Sequence, residues 1–182
     1  MVRAIGLVEF SSIAKGIEVA DHMLKSANIE LITAVPTCPG KYMTLVHGDI
    51  SAVENAVKAA EQLGGEFMND SLVIPNVDEQ IFPAIACTAE IEHIQAIGVI
   101  ESFAIPTLIQ AADICVKAAD VELMEIRLGT GIGGKSFLIM TGDVSDVNAS
   151  TEAGVNVIKD SGNLVHYVVI PSPHKDFKKV LM

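Results

Sequence analysis

The chain has 182 residues, of which half are hydrophobic and 19% are charged, and its formal net charge is −11. This acidic balance argues against a nucleic-acid interface, which needs a basic surface. The sequence contains no run of about 18 uncharged apolar residues, so no membrane-spanning helix is predicted. The three cysteines, Cys38, Cys87 and Cys115, form no C-x-x-C pair, which is typical of a reducing compartment. We therefore expect a cytoplasmic protein that buries its apolar surface in an oligomer.

The first half of the chain alternates predicted strands and helices. Ala4–Phe10 is predicted as a strand, and Ser11–Ala27 as an amphipathic helix. The helix prediction rests on a stripe at positions i, i+4, i+7 and i+11, the pattern of a core-facing helix; its members are Ile13, Ile17, Ala20 and Leu24. Further strands are predicted over Ile29–Val35, Tyr42–His47 and Phe67–Ile74. A second helix should lie between the last two, opened by the capping box Ser51–Glu54 and closed by Gly64-Gly65.

The second half of the chain repeats the first. At a shift of 92, residues 4–31 and 96–123 share 12 identities in 28 positions. Further on, Val73-Ile74-Pro75 recurs as Val169-Ile170-Pro171, at a shift of 96. The chain is thus predicted to hold two copies of one unit, in domains 1–90 and 91–182. The order βαββαβ favours a ferredoxin-like α+β fold with an antiparallel-rich sheet and helices on one face.

The stretch Gly129-Thr-Gly-Ile-Gly-Gly-Lys-Ser136 matches the phosphate-binding P-loop letter for letter. A P-loop requires a helix beginning at the lysine, so that the helix N-terminus faces phosphate. Here Phe137–Met140 reads as a strand, and the matching segment of the first copy is Thr37-Cys-Pro-Gly-Lys41. The match is therefore interpreted as accidental, and both segments as loops between the second and third strands of their copies.

Three recurring patterns carry a family resemblance. They are A-I-G-x-x-E on a strand, A-D-x-x-x-K-x-A-x-[VI]-E-L, and G-K followed by G-D. The chain resembles the bacterial microcompartment shell proteins, in the unpermuted tandem-domain class that forms trimers. Thr37–Lys41 and Gly131–Lys135 resemble the type T family of propanediol-utilisation shell proteins.

The resemblance implies a structural protein rather than an enzyme. Three chains would form a flat pseudohexameric disc that tiles with other shell proteins around enzymes, one of them a candidate redox partner. Loops between the second and third strands would line a central pore. In the type T family one cysteine from each chain holds a [4Fe–4S] cluster there, for electron transfer or cluster transport, and Cys38 occupies that position. The implied pore-lining residues are Thr37, Cys38, Pro39, Gly40, Gly131, Ile132 and Gly133.

The residues support this interpretation of Cys38. Pro39 and Gly40 predict a tight exposed turn, a poor place for a buried thiol. Iron–sulfur clusters normally take four cysteines, so one suitable cysteine per chain meets that need only through symmetry. Cys87 and Cys115 are expected to be packing residues, and the five histidines show no metal-ligand spacing.

Other recurring charged residues have plainer interpretations. Lys25 and Lys117 occupy equivalent helix positions, and the resemblance places them at the disc edge. Glu9 and Glu101 recur as a pair, as do Asp49 and Asp143, but their members lie in different copies. The aspartates are expected to begin the second helix of each copy. We find no nucleophile–base pair and predict no catalytic site.

One feature departs from the family. Many shell domains end in Pro-Arg-Pro-His, but the two copies here have Pro75-Asn-Val-Asp78 and Pro171-Ser-Pro-His174, without the arginine. The edge contact that this arginine supports is therefore in question. Two alternatives to a cluster-bearing shell protein stay open: a cluster-free pore for small metabolites, and a ligand-sensing regulatory oligomer with a ferredoxin-like fold.

Overall fold

The strands and helices follow the predicted order in both repeats. The structure, a computed structural model, describes residues 4–181, and the chain divides between Val77 and Asp78 into two compact units. The first unit contains β1 (Ala4–Phe10), α1 (Ile13–Ser26), β2 (Ile29–Thr37), β3 (Lys41–Gly48), α2 (Ile50–Gly64) and β4 (Met68–Ile74). The second contains α3 (Ile81–Ala86), β5 (Ala96–Ser102), α4 (Ile105–Ala118), β6 (Val121–Leu128), β7 (Ser136–Gly142), α5 (Val144–Lys159), β8 (Leu164–Ile170) and α6 (Lys175–Leu181).

Each unit is built on a four-stranded antiparallel sheet. The strand orders are β2-β3-β1-β4 and β6-β7-β5-β8, and every pairing is antiparallel. In the first unit, Ala4, Val8 and Phe10 of β1 share one core with residues of both α1 and α2. Because these strand residues alternate along β1, the two helices pack on the same sheet face. The predicted α+β fold, two βαββαβ units in tandem, is confirmed.

The core-facing side of α1 differs from the predicted stripe. Of the four stripe residues only Ala20 is buried, whereas Ile13, Ile17 and Leu24 are exposed. The helix instead buries Gly16, Val19, Ala20 and Met23. Gly16 lies against the Tyr42 ring, since an added Cβ would come within 2.5 Å of Tyr42 Cβ. The side of α1 with Gly16 thus packs closely on this ring, and the side with the two isoleucines faces outward.

The start of α2 also differs from the prediction. The helix begins at Ile50 with Asp49 as its N-cap residue, so the predicted capping box at Ser51–Glu54 is wrong. In the second unit Asp143 holds the equivalent N-cap position of α5. The predicted role of both aspartates at helix starts is thus confirmed, although neither side chain makes a capping hydrogen bond. A negative charge there still interacts favourably with the helix dipole.

The predicted glycine end of α2 is confirmed, and a proline lies near the start of α4. Gly65 caps α2 with φ of 51°, and Pro106 lies in the first turn of α4, where its missing N–H costs nothing. Residues 65–67 form a single 3-10 turn, so the fourth strand begins at Met68. Within residues 4–181, none of the helices has the length and apolarity needed to cross a bilayer.

Candidate functional site

Cys38 lies at the tip of the β2–β3 hairpin. Thr37 and Lys41 face each other as the last paired residues, and Gly40 N donates to Thr37 O over 3.0 Å. Gly40 has φ of 85° in open space, a conformation that favours glycine. Pro39 and Gly40 are exposed and Cys38 is half-buried. The turn thus presents a free thiol near its tip, as predicted from Pro39 and Gly40.

Thr37 adds an unusual polar atom beside this thiol. Its side chain is 4% exposed, and its Oγ1 has no hydrogen-bond partner among residues 4–181. Buried hydroxyls are ordinarily hydrogen-bonded. The residue next to Cys38 therefore carries a buried hydroxyl that is unpaired within the described part of the chain.

An ion pair anchors the base of this hairpin. Lys41 Nζ lies 2.7 Å from Glu9 Oε1, and Asn69 Nδ2 donates to the same oxygen. Glu9 is 4% exposed, so its charge depends on these two donors. The lysine thereby ties the first residue of β3 to the central strand β1. Both Glu9 and Gly40-Lys41 recur in the second repeat, but the sequence alone did not reveal that they pair.

The equivalent loop of the second unit is richer in glycine. Gly129, Gly131, Gly133 and Gly134 all have positive φ between 63° and 79°, and built Cβ atoms at Gly131 and Gly133 would meet no atom within 4 Å. Lys135 Nζ lies 2.5 Å from Glu101 Oε1, repeating the anchor of the first unit. Strand β7 begins at Ser136, which confirms the predicted strand after the P-loop letters. A phosphate would therefore meet no helix N-terminus here.

A single chain offers no complete metal site within residues 4–181, where no three His, Cys, Asp or Glu side chains cluster. Cys115 is fully buried and donates to Ser150 O over 3.2 Å; burial raises the pKa of its thiol to about 12. It is the packing residue predicted. Cys87 is exposed, with φ of 54° as the C-cap of α3, so its predicted packing role is wrong. Only Cys38 combines accessibility with a predicted pore loop.

The two predicted edge lysines make equivalent contacts in their own helices. Lys25 Nζ lies 2.5 Å from Asp21, and both side chains are well exposed. Lys117 Nζ lies 2.5 Å from Asp113, whose side chain is only 7% exposed. Asp113 also accepts from the backbone N–H of Asp78 over 2.8 Å. The repeated pair A-D-x-x-x-K is therefore an i,i+4 ion pair, which sequence spacing could have indicated.

Comparison with known proteins extends these observations to the whole chain. The profile of the BMC domain family matches residues 4–77 and 96–173. The shell protein PduT of Citrobacter freundii is 41% identical over 175 residues, which cover 96% of this chain and 95% of PduT. The shell protein EutM of Salmonella typhimurium is 39% identical over 87 residues, 47% of this chain and 88% of EutM. A microcompartments protein from Desulfitobacterium hafniense DCB has a crystal structure that superposes with a TM-score of 0.93 at 48% identity, covering 97% of this chain and 98% of the other.

Proposed function

The chain belongs to the BMC domain family and is a structural microcompartment shell protein similar to PduT; we propose that three copies assemble into a facet tile whose central pore holds a [4Fe–4S] cluster through Cys38. The predicted resemblance is confirmed along nearly the whole chain. The trimer, the pore and the cluster are the steps proposed beyond that membership.

One observation carries the assignment of the cluster to Cys38. Its thiol is free and lies in an exposed hairpin turn, while the rest of that turn offers no second ligand of the kind iron prefers. Thiolates are the usual ligands of iron–sulfur clusters. A shared axis that gathers three such turns would supply three thiolates, and leave one iron for water or a small ligand.

The residues around the thiol fit this role. Thr37 contributes a buried hydroxyl without a partner inside the described chain, and hydrogen bonds to sulfur are one means of tuning a cluster. The Lys41 ammonium is held by Glu9 rather than by the thiol, so the turn is braced from its base. When bound, the cluster would supply one-electron redox chemistry. The chain itself would hold it, exclude metabolites and let electrons cross the shell, or deliver the cluster inside.

The edges of the tile would meet other shell proteins. Lys25 and Lys117 are the proposed edge residues, because both lie in the last turn of an equivalent helix. A long lysine stem can pack along a neighbouring surface while its ammonium binds carbonyl oxygens. An encapsulated redox enzyme is the proposed electron partner. No catalytic site is assigned to the chain.

The direct experiment is anaerobic purification with iron and sulfide analysis, mass measurement and EPR, on the wild type beside Cys38→Ser. A trimer with about four irons, and a variant trimer without them, is the expected result. A cluster-free pore for small metabolites is the second candidate, favoured by the open space around Gly131 and Gly133. An iron-free wild-type trimer from strictly anaerobic cells would select it. A discrete oligomer that never forms sheets or tubes in electron micrographs would favour a ligand sensor instead.

A further inference from the structure

The outward side of α1 continues onto the edge strand β2 as an apolar surface, which we term the α1–β2 face. Its exposed members are Ile13 (42%), Ile17 (53%), Leu24 (39%) and Leu31 (46%). Scattered exposed apolar residues are common, but four on adjacent elements form a patch that an interaction partner ordinarily covers.

The equivalent face of the second repeat is covered. Ile105 and Ile109, which match Ile13 and Ile17 at the shift of 92, are 3% and 0% exposed. The segment that begins at Asp78 and continues through α3 contacts α4 and β6, the two elements that form this face. Its Asp78 N–H donates to Asp113 Oδ1 of α4 over 2.8 Å, and α3 packs on β6. The anchors Ile81 and Ala84 are fully buried.

The same segment also satisfies the backbone of the edge strand β6. The Gln80 side chain accepts from Leu123 N–H over 2.9 Å and donates to Val121 O over 3.2 Å. An edge strand presents unpaired backbone groups that invite such a contact. In the first unit the matching groups belong to Ile29 and Leu31 of β2.

The C-terminal segment 174–181 repeats the segment 78–85 in geometry, at the shift of 96. Ile81 N–H donates to Asp78 O over 3.2 Å, and Phe177 N–H donates to His174 O over 2.9 Å. The next turn bond recurs as well: the N–H groups of Gln80 and Asp176 donate to the side chains of Asp78 (3.0 Å) and His174 (3.3 Å). Both segments thus begin with the same capped turn.

The two segments differ in how far their apolar residues are buried. Phe177 and Val180 match the buried anchors Ile81 and Ala84 of α3, yet they are 46% and 78% exposed. Leu181 and Lys178 hold α6 on its own unit, but the side of α6 with Phe177 and Val180 is exposed. This side and the α1–β2 face correspond to the two halves of a contact that the second unit makes internally.

Charge favours the same match. The exposed lysines Lys175 and Lys179 flank the apolar residues of α6, whereas Glu18, Asp21 and Glu30 surround the α1–β2 face. Two lysines, Lys15 and Lys25, already pair with two of these carboxylates, so the electrostatic contribution is modest and salt-dependent. The apolar anchors would supply most of the affinity, as at other interfaces.

We propose that the segment His174–Leu181 of one chain docks on the α1–β2 face of a second copy, as Asp78–Ala86 docks on α4 and β6. This inference rests on the proposed three-chain assembly and specifies how its chains interlock. The backbone N–H of His174 would meet the Asp21 carboxylate of the other copy. Asp176 stands where Gln80 does, so it can accept from the Leu31 N–H but cannot donate to Ile29 O. Three repetitions of the contact close a ring.

Disulfide trapping tests the docking directly. The full chain carries Asp21→Cys and His174→Cys in a Cys38→Ser, Cys87→Ser background, so that no cluster and no exposed native thiol takes part. Mild oxidation should give covalent species of two and three chains on a non-reducing gel. The matched control pair Asp78→Cys and Asp113→Cys should close within one chain and run as a monomer. The pair Asp21→Cys with Asp160→Cys should give no ladder.

Native mass measured on the same samples tests the docking of α6 separately from the three-chain assembly. A trimer without the covalent ladder overturns the docking of α6 and leaves the three-chain tile intact, whereas a monomer overturns both. A second variant, Phe177→Asp with Val180→Asp, should raise the concentration of half-dissociation about 100-fold or more. Val144→Asp, at a valine of α5 that is 42% exposed, close to the 46% of Phe177, should leave that concentration unchanged. An unchanged trimer in the double variant would also overturn the docking.

Discussion

Lys41 Nζ lies 2.7 Å from Glu9 Oε1, across the base of the hairpin that carries Cys38. The second unit repeats the contact between Lys135 and Glu101 over 2.5 Å. The first pair is the more buried, because the Glu9 side chain is 6% exposed and the Glu101 side chain 28%. Each predicted pore loop thus has an ion pair at its base, and the pair below the loop with the thiol is the more buried one.

Lys41→Met should destabilise the protein by about 2 kcal/mol, because it leaves the Glu9 carboxylate buried with a single donor. Fully buried pairs lose about 3–5 kcal/mol when one partner is removed, and the partial exposure of Lys41 reduces that cost. Thermal unfolding of the wild type and the variant measures it. Lys25→Met breaks an exposed i,i+4 pair and should cost about 0.5 kcal/mol or less. Equal losses in both variants would contradict the buried brace.

Asp70→Asn should stabilise the protein increasingly as pH rises. Partial burial raises the pKa of Asp70; the Ser71 N–H bond opposes this effect, the nearby Glu9 carboxylate adds to it, and Lys41 again opposes it. A folded pKa above the unfolded value of 3.8 means that the folded state binds more protons, so stability falls as pH rises through that window. Asp70→Asn has no ionisable group at this position, so its stability does not fall in this way as pH rises.

The test is the melting temperature of both proteins from below pH 3.8 to neutral pH. The advantage of Asp70→Asn over the wild type should grow across the acidic range and then level off. Asparagine can still accept the Ser71 N–H bond, which spans 2.8 Å in the wild type. Glu66→Gln, at an exposed site, serves as the comparison. A constant difference at all pH values would contradict the raised pKa.

Cys115 should react far more slowly than the other two thiols. With a pKa of about 12, Cys115 is a thiolate in only about one molecule in 10⁴ at pH 8, and it is fully buried. An aromatic disulfide reagent should therefore titrate two thiols per chain in iron-free protein, and the third only in denaturant. Cys87→Ser should remove one fast thiol. Rapid labelling of Cys115 in folded protein would contradict its packing role.

Thr37→Val should lower the reduction potential of the proposed cluster while its iron content stays unchanged. A hydroxyl that donates to cluster sulfur stabilises the reduced, more negative state, and valine removes that donor. Thr44→Val is a matched control, because Thr44 Oγ1 is also buried without a partner within residues 4–181 but lies inside β3 rather than at the turn. Anaerobic redox titration followed by EPR gives both potentials. Equal shifts in the two variants would remove the argument for Thr37.

The fold was predictable because the repeat doubled each signal. Glycines marked the end of a predicted element, as Gly64-Gly65 does for α2. The internal alignment showed that the P-loop letters fall in a hairpin. The orientation of α1 was not predictable from periodicity. Its exposed isoleucines are as apolar as the side that packs on the core, which includes Gly16 in close approach to Tyr42.

The site was predictable only in part, for a related reason. The position of Cys38 in an exposed turn followed from Pro39 and Gly40, whereas Cys87 was misassigned because a left-handed C-cap leaves its side chain outside. The Glu9–Lys41 pair was missed, since its partners are 32 residues apart and meet only when β1 and β3 pair. Contacts between separate chains cannot be predicted from the pattern of one chain. The exception is a contact that one repeat already makes within the chain and that the other repeat can make with a second chain.

The most direct measurement is the iron content and EPR signal of anaerobically purified trimer, wild type beside Cys38→Ser, with Cys87→Ser as the control for thiol loss. We expect about four irons per trimer, a signal that appears on reduction, and the loss of both in Cys38→Ser alone. A Cys38→Ser trimer that retains its iron, or a wild-type trimer that never contains any, would contradict the proposed cluster.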